Sequence, residues 1–284
     1  MLNLYVTLVH LNFNKSKYLS NILNFDELPF DKIVVDIITN MVNNEDISHV
    51  KRYLPINSEK LIINILNNDY EKLPSPWLMA WIHKKLMWEK FNNSNFTHFM
   101  NIEDDLKITY ENINYWMKAR ELLRSFGLYP SFFRTEWNQN NQEWMSVDAI
   151  RGDVFDVNKL PIVKIDESFG FINIPRTYQG MFLYDRELMS EYINSGNYFI
   201  DNAFPNWRYA IQNPTSPFGL GEASHEGISM ISVPNGCFSR NFLPIDLNNL
   251  TLISDALVHH VENKYTNLDN SDHGKVPILK LFTK

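Results

Sequence analysis

One stretch of the chain decides the fold: Phe96-Thr97-His98-Phe99-Met100-Asn101-Ile102-Glu103-Asp104-Asp105-Leu106. Its apolar first part predicts a strand, and the strand ends abruptly in three acids. Adjacent carboxylates repel one another, and at the end of a buried strand they also lose hydration. A divalent cation would compensate this charge, and Mg²⁺ or Mn²⁺ suits oxygen ligands. A solvated acidic turn is the alternative, but a strand before the acids and an amphipathic helix after them favour a metal site.

The residues around this stretch predict an α/β fold with a mainly parallel sheet, because short apolar runs alternate with helical patterns up to residue 127. Further strands are expected at Leu2 to His10, Lys32 to Thr39 and Leu61 to Leu66, and helices at Lys15 to Asn24, Ser75 to Phe91, Ile113 to Phe126 and Asp185 to Asn194. In an open α/β sheet, ligands bind outside the carboxyl ends of the strands. The three acids should therefore lie at a binding site.

Side-chain periodicity in the helix from Ser75 places Leu78, Trp81, Ile82 and Trp88 on its apolar face. His83 and Lys84 fall largely outside that stripe. We therefore expect them to be solvated, or to contact a bound anion.

Composition limits the classes of function. The chain has 284 residues and a net charge of -7, so a broad basic surface for nucleic acid is not indicated. Cys237 is the single cysteine, which fits a reducing compartment. We find no signal-peptide pattern and no apolar stretch of about 20 residues that would span a bilayer. These features predict a cytoplasmic protein, with peripheral membrane association left open.

The strand-Glu-Asp-Asp-helix pattern resembles the metal-binding Asp-any-Asp motif of GT-A type nucleotide-sugar glycosyltransferases, with Glu103 in the first position and Asp105 in the last. A wider pattern is similar to bacterial glycosyltransferase-like proteins and comprises Trp81-Ile82-His83-Lys84, Phe99 to Asp105, Asn114-Tyr115-Trp116 and Pro130 to Glu136.

The resemblance implies a three-layer α/β sandwich with a mainly parallel central sheet and a C-terminal extension, formed by a single catalytic domain over residues 1–284. Residues 1–127 would bind the nucleotide sugar, and 128–284 would bind the acceptor and supply the C-terminal segment. It also implies Mn²⁺ or Mg²⁺ at Glu103 and Asp105, with Asp104 near the nucleotide sugar.

Two further regions are implied as parts of the site. Glu222, or else Glu226, would be the catalytic base, with a helix-capping role as the alternative. A C-terminal histidine, His259 or His260, would complete the metal site. Adjacent strand residues point to opposite faces, so only one of the pair should reach the ion. The sequence does not decide which.

Donor binding is the role implied for Asp36, and His83 and Arg134 could neutralise phosphate. An edge or capping role for Asp36, and solvated positions for the two cations, are the alternatives. Trp137, Trp144 and Trp207 could stack on sugar rings, although tryptophan is more often a core residue.

The sequence thus predicts transfer of a sugar from a nucleotide-sugar donor to a hydroxyl of a glycan or lipid-linked acceptor, in cell-surface glycan synthesis. One alternative is a metal-dependent phosphoesterase that adds Asp272 and His273 to the acids and histidines. Another is a non-catalytic protein that binds sugar nucleotides or glycans.

Overall fold

The computed structural model describes residues 1–11, 13–22, 24–40, 44–67, 73, 76–175, 180–208 and 219–284. Its strands are β1 (Asn3–His10), β2 (Lys32–Thr39), β3 (Leu61–Asn67), β4 (His98–Glu103), β5 (Leu106–Lys107), β6 (Tyr129–Pro130), β7 (Phe133–Asn138), β8 (Glu143–Ser146), β9 (Phe155–Asp156), β10 (Ile162–Lys164), β11 (Phe169–Ile172), β12 (Met181–Asp185), β13 (Asn241–Asp246), β14 (Thr251–Leu252), β15 (Leu257–His260), β16 (Val276–Pro277) and β17 (Phe282–Thr283). Its α-helices are α1 (Asn44–Lys51), α2 (Ile82–Asn93), α3 (Tyr110–Leu123), α4 (Arg186–Asn194), α5 (Ile200–Ala203), α6 (Leu220–His225) and α7 (Lys264–Asn267).

The chain forms two compact units. The first unit contains Met1–Asp105 and Gly180–Ile228, and the second contains Leu106–Gln179 and Ser229–Lys284. The boundary after Asp105 follows the three acids directly. None of the described helices combines the length and apolar character needed to cross a bilayer.

The first unit is built on a five-stranded sheet in the order β12-β4-β1-β2-β3. β1 pairs in parallel with β2 and β4, β2 pairs in parallel with β3, and β12 runs antiparallel to β4. Nearly every residue of β1, β2 and β4 is buried, as expected for parallel strands covered on both faces. The predicted α/β class with a mainly parallel sheet is confirmed.

Helix α2 corrects one expectation from the periodicity. A 3₁₀ turn at Pro76–Trp81 precedes the helix, and Ser75 lies outside the described residues. His83 and Lys84 are buried, whereas Trp88 is 42% exposed. Because α2 contacts both β1 and α4, the face that carries His83 and Lys84 is covered as well, and the expectation that they are solvated is wrong.

Lys84 lies among aromatic rings of the first unit. Its ammonium is 4.1 Å from the ring centroid of Tyr192 and 5.2 Å from that of Tyr198, and it donates to the Tyr192 hydroxyl. Burial holds the pKa of Lys84 well below its ordinary value. Cation–π contacts therefore replace part of the lost hydration.

The second unit is mainly antiparallel and was not foreseen as a separate compact unit. One sheet has the order β16-β8-β7-β15-β5, a second has the order β10-β11-β13-β14 with β6 beside β13, and β17 pairs with β9. Helix α3 begins at a capping box in which Thr109 and Asn112 bond each other's backbone amides. The turn at Gly127, with φ +69, ends the helical segment as predicted.

We predict that the first unit loses stability on mild acidification. Burial lowers the pKa of His98 to about 4 and holds that of His83 well below its usual range. In the unfolded chain these rings take up protons below about pH 6.5, so the free energy of unfolding should fall as the pH drops from there towards 4. Denaturant titrations should show a smaller pH dependence for His98→Gln, and an unchanged dependence would contradict this.

Candidate functional site

The three acids lie at the carboxyl edge of the parallel sheet. β1 and β4 end side by side, with Val9 opposite Glu103 in the parallel register. This placement follows from the matched lengths of two buried strands, because parallel strands bring their carboxyl ends to one edge of the sheet. Asp105 is buried, and Glu103 and Asp104 are partly buried.

Asp104 is neutralised from the end of β1. Its carboxylate lies 2.6 Å from Nδ1 of His10, whose Nε2 is 3.0 Å from the hydroxyl of Ser16. His10 is completely buried. Burial raises the pKa of Asp104, although the bond from His10 opposes that rise. The sequence analysis did not identify His10 as a site residue. Its position at the end of the predicted first strand could have indicated that it lies at the same sheet edge as the acids.

Glu103 is accommodated by a glycine. The amide of Glu103 donates to the carbonyl of Gly180 at 3.0 Å. Gly180 has φ +64, and a Cβ at this position would overlap the Glu103 carboxylate. The left-handed backbone at residue 180 favours glycine, and a larger side chain there would push the Glu103 carboxylate out of its present position.

Asp105 is the last residue of the first unit, and the chain passes from it directly into β5. In the second unit β5 pairs antiparallel with β15, so that Leu106 lies opposite His260 and Lys107 lies opposite His259. The covalent connection thus brings the end of the acidic motif to the strand that carries both histidines.

His260 is held by a buried carboxylate. Its Nδ1 is 2.6 Å from Oε1 of Glu136, and both side chains are almost fully buried. Burial alone would raise the pKa of Glu136, but hydrogen bonds from His260 and from the amides of Thr266 and Tyr265 hold it below its ordinary value. A carboxylate only accepts, so Nδ1 of His260 carries the proton of this hydrogen bond. Metal-binding histidines are commonly oriented in this way.

Glu262 adds a second potential ligand on the same side. Ligand atoms of His260 and Glu262 lie within 4.8 Å of one another, and Glu262 also forms an ion pair with Lys264 at 3.2 Å. The second unit therefore presents two potential metal ligands close together, the imidazole of His260, which pairs with Leu106, and the carboxylate of Glu262.

His259 points to the other face of β15. It is partly buried, its Nε2 is 3.2 Å from Oδ1 of Asn263, and its ring meets Trp144 edge-to-face at 5.0 Å. Burial lowers the pKa of His259. The two neighbouring histidines thus have different surroundings, as the alternation of a strand requires.

The loop with the predicted catalytic base packs against β4 and β12 in the first unit. The carboxamide nitrogen of Asn101 donates to Nδ1 of His225 at 2.8 Å, and the amide of Ile228 donates to the Tyr184 hydroxyl at 2.9 Å. Glu226 is exposed between these two anchors. Glu222 lies in α6, and its side chain is outside the described residues, as are Ser216, Pro217 and Phe218.

Like Asp104, the other three residues assigned to donor binding form hydrogen bonds or ion pairs inside their own units. Both carboxylate oxygens of Asp36 are bonded, one to Tyr5 at 2.6 Å and one to Asn64 at 2.7 Å. Arg134 forms a buried ion pair with Asp148 at 2.8 Å. Nδ1 of His83 donates to the Ala80 carbonyl at 2.6 Å. Donor contacts by these residues stay predictions.

Gly180→Ala should disturb Glu103, whereas Gly196→Ala is the matched control. Both glycines have positive φ, but a Cβ at 196 meets no atom within 4 Å. Each substitution should cost about 1 kcal/mol for the backbone alone, and Gly180→Ala should cost more and also weaken Mn²⁺ binding. Equal losses of stability and equal Mn²⁺ affinities in the two variants would show that Glu103 does not depend on this space.

Comparisons with known proteins give structural likenesses only. No family model matches the chain, and no curated protein matches it. S. aureus TarS 1-349, solved in complex with UDP-GlcNAc, is similar with a TM-score of 0.37 and 12% identity over 67% of this chain and 47% of that one. An active-site mutant of LgtC is similar with a TM-score of 0.37 and 10% identity, over 78% of this chain and 68% of that one. This chain therefore matches less than half of the TarS fragment, and these values do not place it in a family.

Proposed function

We propose that the protein is a metal-dependent glycosyltransferase that moves a sugar from a nucleotide-sugar donor to a hydroxyl of a glycan or lipid-linked acceptor. The observation that carries the proposal is the acidic end of β4. From these acids the chain continues through Asp105 into β5, where Leu106 pairs with His260 of β15. Buried acids at this edge of a parallel sheet suit a ligand with bound metal. The GT-A resemblance of the motif gives the reaction class.

The metal ligands that we propose are His260 and Glu262 of the second unit, with Glu103 and Asp105 as the acids that the motif's resemblance assigns to the metal. Asp105 joins the set through its bond to Leu106, which lies opposite His260 in the ladder. Carboxylates with one imidazole suit Mn²⁺ better than Mg²⁺, which prefers oxygen ligands. When bound, the ion would neutralise the diphosphate leaving group.

His260 is favoured over His259 as the ligand for two reasons. Glu136 orients the ring of His260 through the bond at Nδ1, as second-layer carboxylates do for metal-bound histidines. His259 instead contacts Asn263 and Trp144. The surroundings of the two rings therefore support our proposal of His260 as the ligand.

The proton of the acceptor hydroxyl needs a base, and Glu226 is the described residue that we propose for it. Its loop is tied by His225 to Asn101, two residues before the acids in the same strand. An exposed carboxylate near the acceptor can accept the proton as the hydroxyl oxygen attacks the anomeric carbon. Glu222, the first choice from the sequence, has its side chain outside the described residues and stays a prediction for this base.

The phosphoesterase alternative gains no support from its additional residues. Asp272 is exposed and pairs with Arg151 at 3.7 Å, and Nδ1 of His273 is 2.7 Å from the Val147 carbonyl. We further propose a cytoplasmic enzyme of cell-surface glycan synthesis, because the single cysteine fits a reducing compartment and the wider sequence pattern resembles bacterial glycosyltransferase-like proteins.

Asp105→Asn should abolish Mn²⁺-dependent nucleotide binding without unfolding the protein. Asparagine keeps the shape but loses the charge that holds the cation, and relief of repulsion from the neighbouring acids should leave Tm equal or higher. Asp246→Asn, at the end of β13, is the matched control. Its carboxylate accepts from the amides of Asn248 and Asn249, so it should lower Tm slightly and keep nucleotide affinity. A destabilised Asp105→Asn variant with normal nucleotide affinity would refute the metal-site proposal.

Pulsed electron paramagnetic resonance of bound Mn²⁺ should separate the two histidines. Nitrogen coupling from an imidazole is expected in the wild type and in His259→Gln, and it should vanish in His260→Gln. Glu136→Gln should weaken Mn²⁺ affinity by about 10- to 100-fold, because the ring loses its orienting carboxylate. Loss of the nitrogen signal in His259→Gln alone would reverse the assignment.

A further inference from the structure

The second unit contains a cavity of about 410 Å³ between β5, β15 and the start of α3. Its lining includes Lys107, Glu111, Trp144, Asp255 and His259. The volume lies within the range of about 300–1,000 Å³ that is usual for sites of small organic ligands. None of the roles proposed above uses this cavity.

Trp144 gives the cavity an exposed and rigid aromatic surface. The side chain is 41% exposed, yet its ring is fixed at its edges. Trp137 meets it at 5.3 Å and 65°, and His259 meets it at 5.0 Å and 86°. Edge-to-face contacts of this kind stabilise a ring in one orientation. A large aromatic side chain held in place but left partly open to solvent is a typical anchor for a ligand.

The opposite wall is also pre-organised. The carboxamide of Asn112 donates to the carbonyls of Asp255 at 2.7 Å and Leu257 at 3.0 Å, and its oxygen accepts from the amide of Thr109 at 2.9 Å. These bonds tie the first turn of α3 to the segment that leads into β15. Little ordering of this wall would therefore be needed when a ligand binds.

The polar groups around Trp144 indicate the class of ligand. Glu111 and Asp255 supply two carboxylates and Lys107 supplies one ammonium, so the lining is net negative at neutral pH. Such groups bind hydroxyls and amines but repel anions. A pyranose ring has an apolar C–H face for an aromatic surface and an edge of hydroxyls for polar groups. A neutral or amino sugar fits this lining, whereas an acidic sugar does not.

We propose that this cavity binds the acceptor, a neutral or amino pyranoside whose ring stacks on Trp144. Its role as acceptor site rests on the proposed glycosyltransferase function. Lys107 and His259 line the cavity and pair with each other, one step along the ladder from Leu106 and His260. An acceptor in the cavity would thus bind along the strand that carries the proposed metal ligand, on the face that His259 occupies, while His260 points to the other face.

The test measures, by saturation-transfer NMR, how tightly the full chain binds a panel of methyl glycosides in the absence of nucleotide. The panel contains a neutral hexoside, an amino sugar and a uronic acid. Trp144→Ala should weaken binding of the neutral or amino sugar by about tenfold, since about 1.4 kcal/mol of stacking would be lost. Trp144→Phe should retain most of the affinity. Trp88→Ala is the matched control, because Trp88 is 42% exposed but belongs to the first unit.

Three results would overturn the inference: unchanged binding in Trp144→Ala, binding of the uronic acid as tight as that of the neutral sugars, or no binding of any panel member to the wild type. Mn²⁺-dependent nucleotide binding is measured on the same variants and should be unaltered by Trp144→Ala. If the wild type binds no nucleotide but still binds sugar through Trp144, the donor proposal fails, and the cavity stands as a glycan-binding site.

Discussion

Electrostatic repulsion among three consecutive carboxylates at the end of a buried strand is the constraint on which the site depends. Because the apolar residues of β4 are buried, the acids that follow them are held at the edge of the sheet and are at most partly exposed to solvent. Asp104 is compensated by His10 at 2.6 Å, and Glu103 occupies the space left by Gly180. The chain continues from Asp105 into β5, and we propose that Asp105 binds a metal cation.

A second constraint is the two-residue alternation of β15. The ladder with β5 and β7 holds this strand on both sides, so consecutive histidines must face different surroundings. His260 meets the buried carboxylate of Glu136, and His259 meets Trp144. One strand thereby serves both proposed sites, with the metal ligand on one face and the acceptor cavity on the other.

Much of the first unit could be predicted from the sequence, because local patterns decide it. β2 matches its predicted bounds, and Asp185 caps α4 by accepting from the amide of Leu188 at 2.8 Å. The acids were found because their charge interrupts an apolar run. The burial of Lys84 was missed, since periodicity within one helix does not reveal how many of its faces are covered by other elements.

The partners of the site residues could not be predicted, because they are distant in the sequence. His10 and Asp104 are separated by 94 positions, and Glu136 and His260 by 124. Such pairs arise from sheet order and register, which no local pattern encodes. The cavity beside Trp144 has the same origin, since its lining comes from α3, β5, β8 and β15.

The most direct test of the central claim is a thermal-shift titration of the wild-type protein with each nucleoside diphosphate, in the presence and absence of Mn²⁺. A ligand that binds only the folded state raises Tm. The account predicts that diphosphates of one base raise Tm, and that they do so only when Mn²⁺ is present. An equal shift without metal, or no shift with any nucleotide, would contradict it.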